Sequence, residues 1–171
     1  MRLDTLEDVF VEQIADLYNA EQQLVQALPK MVGAAHSDEL RKAFEEHLEQ
    51  TRGHVTRLEE VMRHSSKPVP QETCEAMLGL IKEGDEVIAA QGDGAALDAA
   101  LIAAAQRVEH YEIAGYGTAR TLADQLGYDR AEELLDETLD EEASADKTLT
   151  KIATGGFLKS GINEAAGKNG G

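Results

Sequence analysis

An all-helical fold is what this 171-residue sequence predicts: four long helices in a bundle, with a short extra helix in the crossover between the second and third. Three observations carry that expectation. The chain has only 3 prolines and 4% aromatic residues against many Ala, Leu, Glu and Gln, a composition that suits helices better than sheets. Apolar residues recur at steps of three and four, the period of a helix face packed in a bundle. Caps and glycine-containing turns divide the chain into segments of helical length.

The elements follow in order. Asp4-x-x-Glu7 has the form of a capping box, after which Phe10, Ile14, Leu17, Tyr18, Val25 and Leu28 fall at helical spacing. Pro29 lies inside that pattern and predicts a kink or an early end before Ala35. Ser37 is a good N-cap for a second helix whose seam reads Phe44, Leu48, Thr51, Val55, Leu58 and Met62. The segment from Ser65 to Pro70 breaks it, and Gln71 to Ala90 reads as a shorter helix ending at Gly92-Asp93-Gly94. A third long helix, Ala-rich, runs from about Ala95 to Leu126 and stops at Gly127. A fourth runs from about Asp129 to Ala153 and stops at Gly155-Gly156. Residues 1–154 are therefore expected as one domain and 155–171 as a flexible C-terminal tail. Four long helices with a long connection between the second and third match the ferritin-like arrangement.

The formal charge of −17 gives a field that repels phosphate backbones and anionic membrane surfaces, which argues against nucleic acid or membrane as a partner. One cysteine, Cys74, cannot form an internal disulfide, and the longest apolar run, Ala99 to Ala105, is too short to span a bilayer. Met1-Arg2-Leu3-Asp4 opens no apolar leader, so the expected location is the cytoplasm.

The chemically informative feature is where some of the carboxylates lie. An acid on an apolar seam must be paired, protonated or bound to metal. Glu21 stands seven residues after Ile14 and four before Val25, which points it into the core. Glu109 and Glu112, three residues apart between Ala105 and Tyr116, can share one site. Glu141 and Glu142 straddle the line of Leu134, Thr138, Ala145, Leu149 and Ile152, so at least one faces inward. On the second helix His47 and His54 lie two turns apart on one flank of the seam with Gln50 between them, and His54 is the expected nitrogen ligand. Carboxylates with a little imidazole suit iron or manganese, while a structural zinc site would want thiolates. Two ions are expected, because this many carboxylates around one would leave excess buried charge. The competing reading is that Arg57, Arg107 and Arg120 neutralise the seam acids through salt bridges. Tyr18, Tyr111 and Tyr116 are expected to pack, with a redox role open to one beside a metal centre.

Leu17-Tyr18-Asn19-Ala20-Glu21, His47-Leu48-Glu49-Gln50-Thr51, the run from Arg107 through Glu109, His110, Tyr111 and Glu112 to Gly117, and Thr138-Leu139-Asp140-Glu141-Glu142 with Asp146 resemble the YciF-type bacterial stress proteins. The resemblance covers roughly residues 3–154. It implies a ferritin-like, rubrerythrin-related homodimer with a di-metal site. The ferritin-like pattern places Glu on the first helix, Glu-x-x-His on the second, Glu on the third and Glu-x-x-His on the fourth. Glu21, Glu109, Glu112 and His54 meet it; Thr51 stands where a Glu is expected, with Gln50 beside it, and Ala145 stands in the last His position, with Asp146 beside it. The expected ligand set is thus Glu21, Gln50, His54, Glu109, Glu112, Glu142 and Asp146, with Glu21 and Glu109 bridging or ligating, holding two iron ions, or manganese or zinc in their place. The expected function is stress-related metal binding with possible turnover of dioxygen or peroxide. The alternative is a non-catalytic dimeric structural or interaction module with a vestigial or structural metal site.

Overall fold

A computed structural model of the chain describes residues 2–156 and 159–168. Its long elements are α1 (Leu6–Ala34), α2 (Asp38–Met62), α4 (Gly94–Leu126) and α5 (Asp129–Thr154), with the shorter α3 (Glu75–Ile88) in the connection between α2 and α4. The fold is all-helical apart from one two-stranded pair described below.

Each start and stop has a local cause. The capping box of α1 lies one residue later than expected. Thr5 is the N-cap and its hydroxyl accepts from the Asp8 amide at 3.2 Å, while the Asp8 carboxylate accepts from the Thr5 amide at 2.8 Å. Asp93 caps α4, and Gly127, at φ 72°, ends it in the left-handed conformation that glycine adopts without a Cβ clash. Pro29 does not end α1. The helix continues to Ala34 with Pro29 on its exposed side, close enough to the terminus that one lost backbone bond is tolerated.

The four long helices pack as a closed ring, α1 on α2 and α4, and α5 on α2 and α4, with α3 laid against α1 and α4. Their buried faces follow steps of four and three: Phe10, Ile14, Leu17, Glu21, Leu24, Leu28 and Met31 on α1, and Leu40, Phe44, His47, Thr51, His54, Leu58 and Val61 on α2. On α4 the line is Asp98, Ile102, Ala105, Glu109, Glu112, Tyr116, Ala119 and Ala123; on α5 it includes Leu135, Thr138 and Glu142. The α2 stripe is thus rotated from the expected seam, which had placed Leu48, Val55 and Met62 inward and the two histidines on a flank.

Two apolar clusters fill the ring. One gathers Leu24, Leu28, Phe44, Met77, Leu101, Ile102 and Ile152; the other gathers Phe10, Ile14, Leu17, Leu58, Tyr116, Leu134 and Leu135. Between their stripe positions lie the polar ones, so the core is interrupted midway. Buried Asp98 of α4 ties the α1–α2 connection down by accepting from the backbone amides of His36 at 2.8 Å and Ser37 at 2.7 Å. Gly115 lets α1 approach α4 closely: a Cβ there would stand 2.8 Å from a Leu17 methyl.

The described part of the segment from 155 onward, expected as a flexible tail, carries secondary structure. Gly155–Gly156 pairs antiparallel with Lys159–Ser160, and α6 (Ile162–Lys168) follows, with Ile162 packed against the first apolar cluster. Hydrophobic burial of that residue holds the segment against the bundle.

Candidate metal centre

Six buried polar side chains occupy the interruption: Glu21 from α1, His47 and His54 from α2, Glu109 and Glu112 from α4, and Glu142 from α5. Each sits on its helix's inward stripe, so packing the apolar positions above and below forces them together. Ligand atoms of His47, Glu109, Glu112 and Glu142 all lie within 4.8 Å of one another, and those of Glu21, His54 and Glu142 do the same. Glu142 belongs to both groups.

The donors converge without satisfying each other. His54 Nδ1 stands 2.9 Å from Glu142 Oε1 and 3.2 Å from Glu21 Oε1, and His47 Nε2 stands 3.4 Å from Glu109 Oε1, yet neither nitrogen has a hydrogen bond of acceptable geometry. Nine of the eleven unpartnered buried side-chain N and O atoms among the described residues belong to these six residues, including both oxygens of Glu112 and of Glu142. Such atoms are costly to leave unmade in a dry interior, and a cation among them would satisfy them.

Arg57 does neutralise the seam acid Glu141, but among the described residues no ion pair joins an arginine to the four clustered glutamates. Arg57 pairs with Glu137 at 2.6 Å and Glu141 at 2.7 Å, Arg120 with Asp136 at 3.3 Å, and Arg107 donates to the Ala103 carbonyl at 3.0 Å. Without metal the cluster must therefore hold protons. Burial, and then the neighbouring carboxylate charges, push Glu109 and Glu112 well above the usual carboxylate range. Burial also raises Glu21, against the opposing pull of His54. Burial pulls His54 down, but Glu142 and Glu21 outweigh it and raise it to about 10. Burial likewise pushes Glu142 up, and there His54 and His47 prevail and hold it below its ordinary value.

A second layer fixes the donors. His54 Nε2 stands 2.8 Å from Glu141, which Arg57 grips at 2.7 and 3.0 Å, so Nε2–H donates outward and Nδ1 turns toward the cluster. The Tyr116 hydroxyl donates to Glu21 Oε1 at 2.5 Å. The Arg57 guanidinium holds Glu141 below the usual carboxylate range, keeping it an acceptor.

Of the seven residues expected from the sequence, the structure brings together Glu21, His54, Glu109, Glu112 and Glu142. Asp146 is not among them. Gln50 is half-buried in a polar pocket beside the site, and Asp146 accepts from Gln106 at 2.9 Å. His47, given no ligand role beforehand, is 6% exposed and stands inside the cluster. Its spacing of seven from His54, two helical turns, puts both on one face; the misplaced α2 seam hid that this face points inward. Glu142 is the carboxylate common to both groups, while Glu21 lies in one and Glu109 in the other. Thr51 and Thr138 are buried too, but close on the His47 and Leu134 carbonyls of their own helices.

The donor set fits the implied metal. Four carboxylates and two imidazoles are the ligands of the ferritin-like di-metal pattern, redistributed: α2 supplies both histidines and α4 supplies two glutamates.

Comparison with known proteins gives concordant results. Residues 5–166 match the family described as "Domain of unknown function (DUF892)". Protein YciF of Escherichia coli K12 is 47% identical over 166 residues, covering 96% of this chain and all of that protein. The crystal structure of the E. coli stress protein YciF superposes with a TM-score of 0.85 at 48% identity, covering 88% of this chain and 95% of that one. YcfI of Rhodopseudomonas palustris, described as a proposed structural protein, superposes with a TM-score of 0.83 at 40% identity, covering 90% and 99%.

Proposed function

The chain belongs to the YciF-type DUF892 family, and on that premise we propose a ferritin-like stress-response protein whose four-helix bundle holds a carboxylate-bridged pair of metal ions, iron first and manganese next. The observation that carries this reading is the convergence of Glu21, His47, His54, Glu109, Glu112 and Glu142 in two groups that share Glu142. A pair of iron ions bound there supplies one-electron redox chemistry directed at dioxygen or peroxide.

The chain's own residues prepare that chemistry. Glu142 spans the two halves of the site. Tyr116 holds one oxygen of Glu21, leaving the other free to bind. Arg57, through Glu141, fixes the ring of His54 with Nδ1 inward. Glu109, Glu112 and His54 surrender protons as cations replace them, so binding tightens as pH rises. The two apolar clusters exclude bulk water from either end. We place the protein in the cytoplasm as a homodimer, a location supported by its one buried, free cysteine.

A second reading, a non-catalytic dimeric module in which metal serves stability alone, is favoured by Thr51 and Ala145 at two positions where the ferritin-like pattern has ligands. Anaerobic loading with Fe(II) followed by peroxide separates the two. The redox reading predicts near-ultraviolet and visible absorbance that develops with peroxide and is lost in Glu142→Ala. Bound metal with no spectral response supports the module.

A further inference from the structure

Two pockets reach the cluster, and their linings differ in kind. One, between α2, α4 and α5, carries Glu46, Gln50, Ser144 and Thr148 and has a volume of about 120 Å³. The other enters between α1, α3 and α4. Its walls are Leu24, Leu28 and Met31 from α1, Ile81 and Ile88 from α3, and Val108 from α4, with a volume of about 40 Å³. Both end on His47 and Glu109.

The smaller pocket has room for two or three water-sized molecules, but its alkyl walls offer water few partners; cavities so lined stay dry and accept small apolar molecules. Asp85 of α3, which also lines this pocket, is tied to Lys30 of α1 at 2.9 Å. An ion or a sugar would have to shed its hydration against aliphatic carbon there. Buried Gly84 leaves open space where any other residue would place a Cβ.

We propose that this apolar pocket is a binding site for dioxygen, which it presents to His47 and Glu109, while charged species reach the cluster through the polar pocket. Occupancy by the gas is a property of the pocket alone; its delivery to a metal rests on the reading above.

Paramagnetic dissolved oxygen is itself the probe. The full chain, methyl-labelled and freed of paramagnetic metal with chelator, is examined by NMR under oxygen pressure. Oxygen-induced relaxation at the methyls of Ile81, Ile88 and Val108 is expected to exceed that at Ile14 and Leu135 in the other apolar cluster by about threefold, as for a dry cavity that concentrates an apolar gas. Gly84→Met, which fills the space and favours the helix, removes the excess while the remaining spectrum stays folded. Relaxation no greater than at Ile14, or an excess untouched by Gly84→Met in a folded protein, overturns the proposal. Failure of this test in a chain that binds two metal ions removes the gas site and leaves the metal reading intact. An excess in a chain that binds no metal keeps the gas site and overturns its delivery role.

Discussion

Glu112 shows most plainly what the buried cluster does to the protein. It is fully buried, neither oxygen is hydrogen-bonded, and its only charged neighbours of consequence are other acids. Replacing such a group by an apolar one of similar volume removes an unmet polar burden. Glu112→Leu is therefore expected to stabilise the metal-free protein by about 1–3 kcal/mol while weakening metal binding, read by denaturant unfolding in chelator. Loss of stability in that variant would mean the carboxyl is satisfied in a way the geometry does not allow. The protons held by the cluster also set a pH dependence. His54, raised to about 10 in the fold, contributes stability that is full below its unfolded value of about 6.5 and is lost as pH climbs toward 10. Glu109 and Glu112, also raised, act in the same direction, because the folded state binds more protons than the unfolded one above about pH 4.3. Carboxylates held below their ordinary values, such as Glu141, are ionised in both states there and add no slope. The Tm of the metal-free chain should fall between pH 6 and 9, and bound metal should flatten or reverse the trend. A metal-free Tm that rises across that interval contradicts this protonation pattern.

At the scale of elements, the helices were largely legible because the apolar steps of four and three, Ser37, Gly127 and the Gly92 to Gly94 turn are local signals. Pro29 misled because its effect depends on distance from the helix end and on the face it occupies, neither of which the local sequence states. The site was legible in its carboxylates: Glu21, Glu109, Glu112 and Glu142 break apolar lines and so announce themselves. His47 did not, since α2 has two defensible seams and only packing against α1 and α5 chooses the one through Leu40, Phe44, His47, Thr51 and His54. Gln50 and Asp146 were reached by analogy with a ligand pattern; Gln50 lines a pocket with His47 and Glu109, and Asp146 falls outside the two donor groups. The role of Asp98 was likewise invisible, because its partners, the amides of His36 and Ser37, are 61 or 62 residues away in sequence. Asp98→Ala strips both amides of their acceptor in a buried setting and should destabilise the chain by about 2–3 kcal/mol in chemical denaturation. An unchanged midpoint would mean that solvent or another group replaces the carboxylate.

Across the whole molecule, a ring of four helices closed by apolar clusters at both ends presents its unmet charge at one interior place. No helix among the described residues is long and apolar enough to cross a membrane. If cations complete this cluster as proposed, stability and metal content should move together. An ion at about 100 times its Kd adds roughly 2.7 kcal/mol to folding stability. The decisive measurement is elemental analysis of protein from iron-supplemented cells, paired with the same analysis of Glu142→Ala, since Glu142 joins both donor groups. About two iron or manganese ions per chain are expected, in keeping with the di-metal pattern, with near-complete loss in a variant that remains folded. A parent chain that carries no metal after loading, or a Glu142→Ala protein that retains both ions, would contradict a di-metal centre built around that carboxylate.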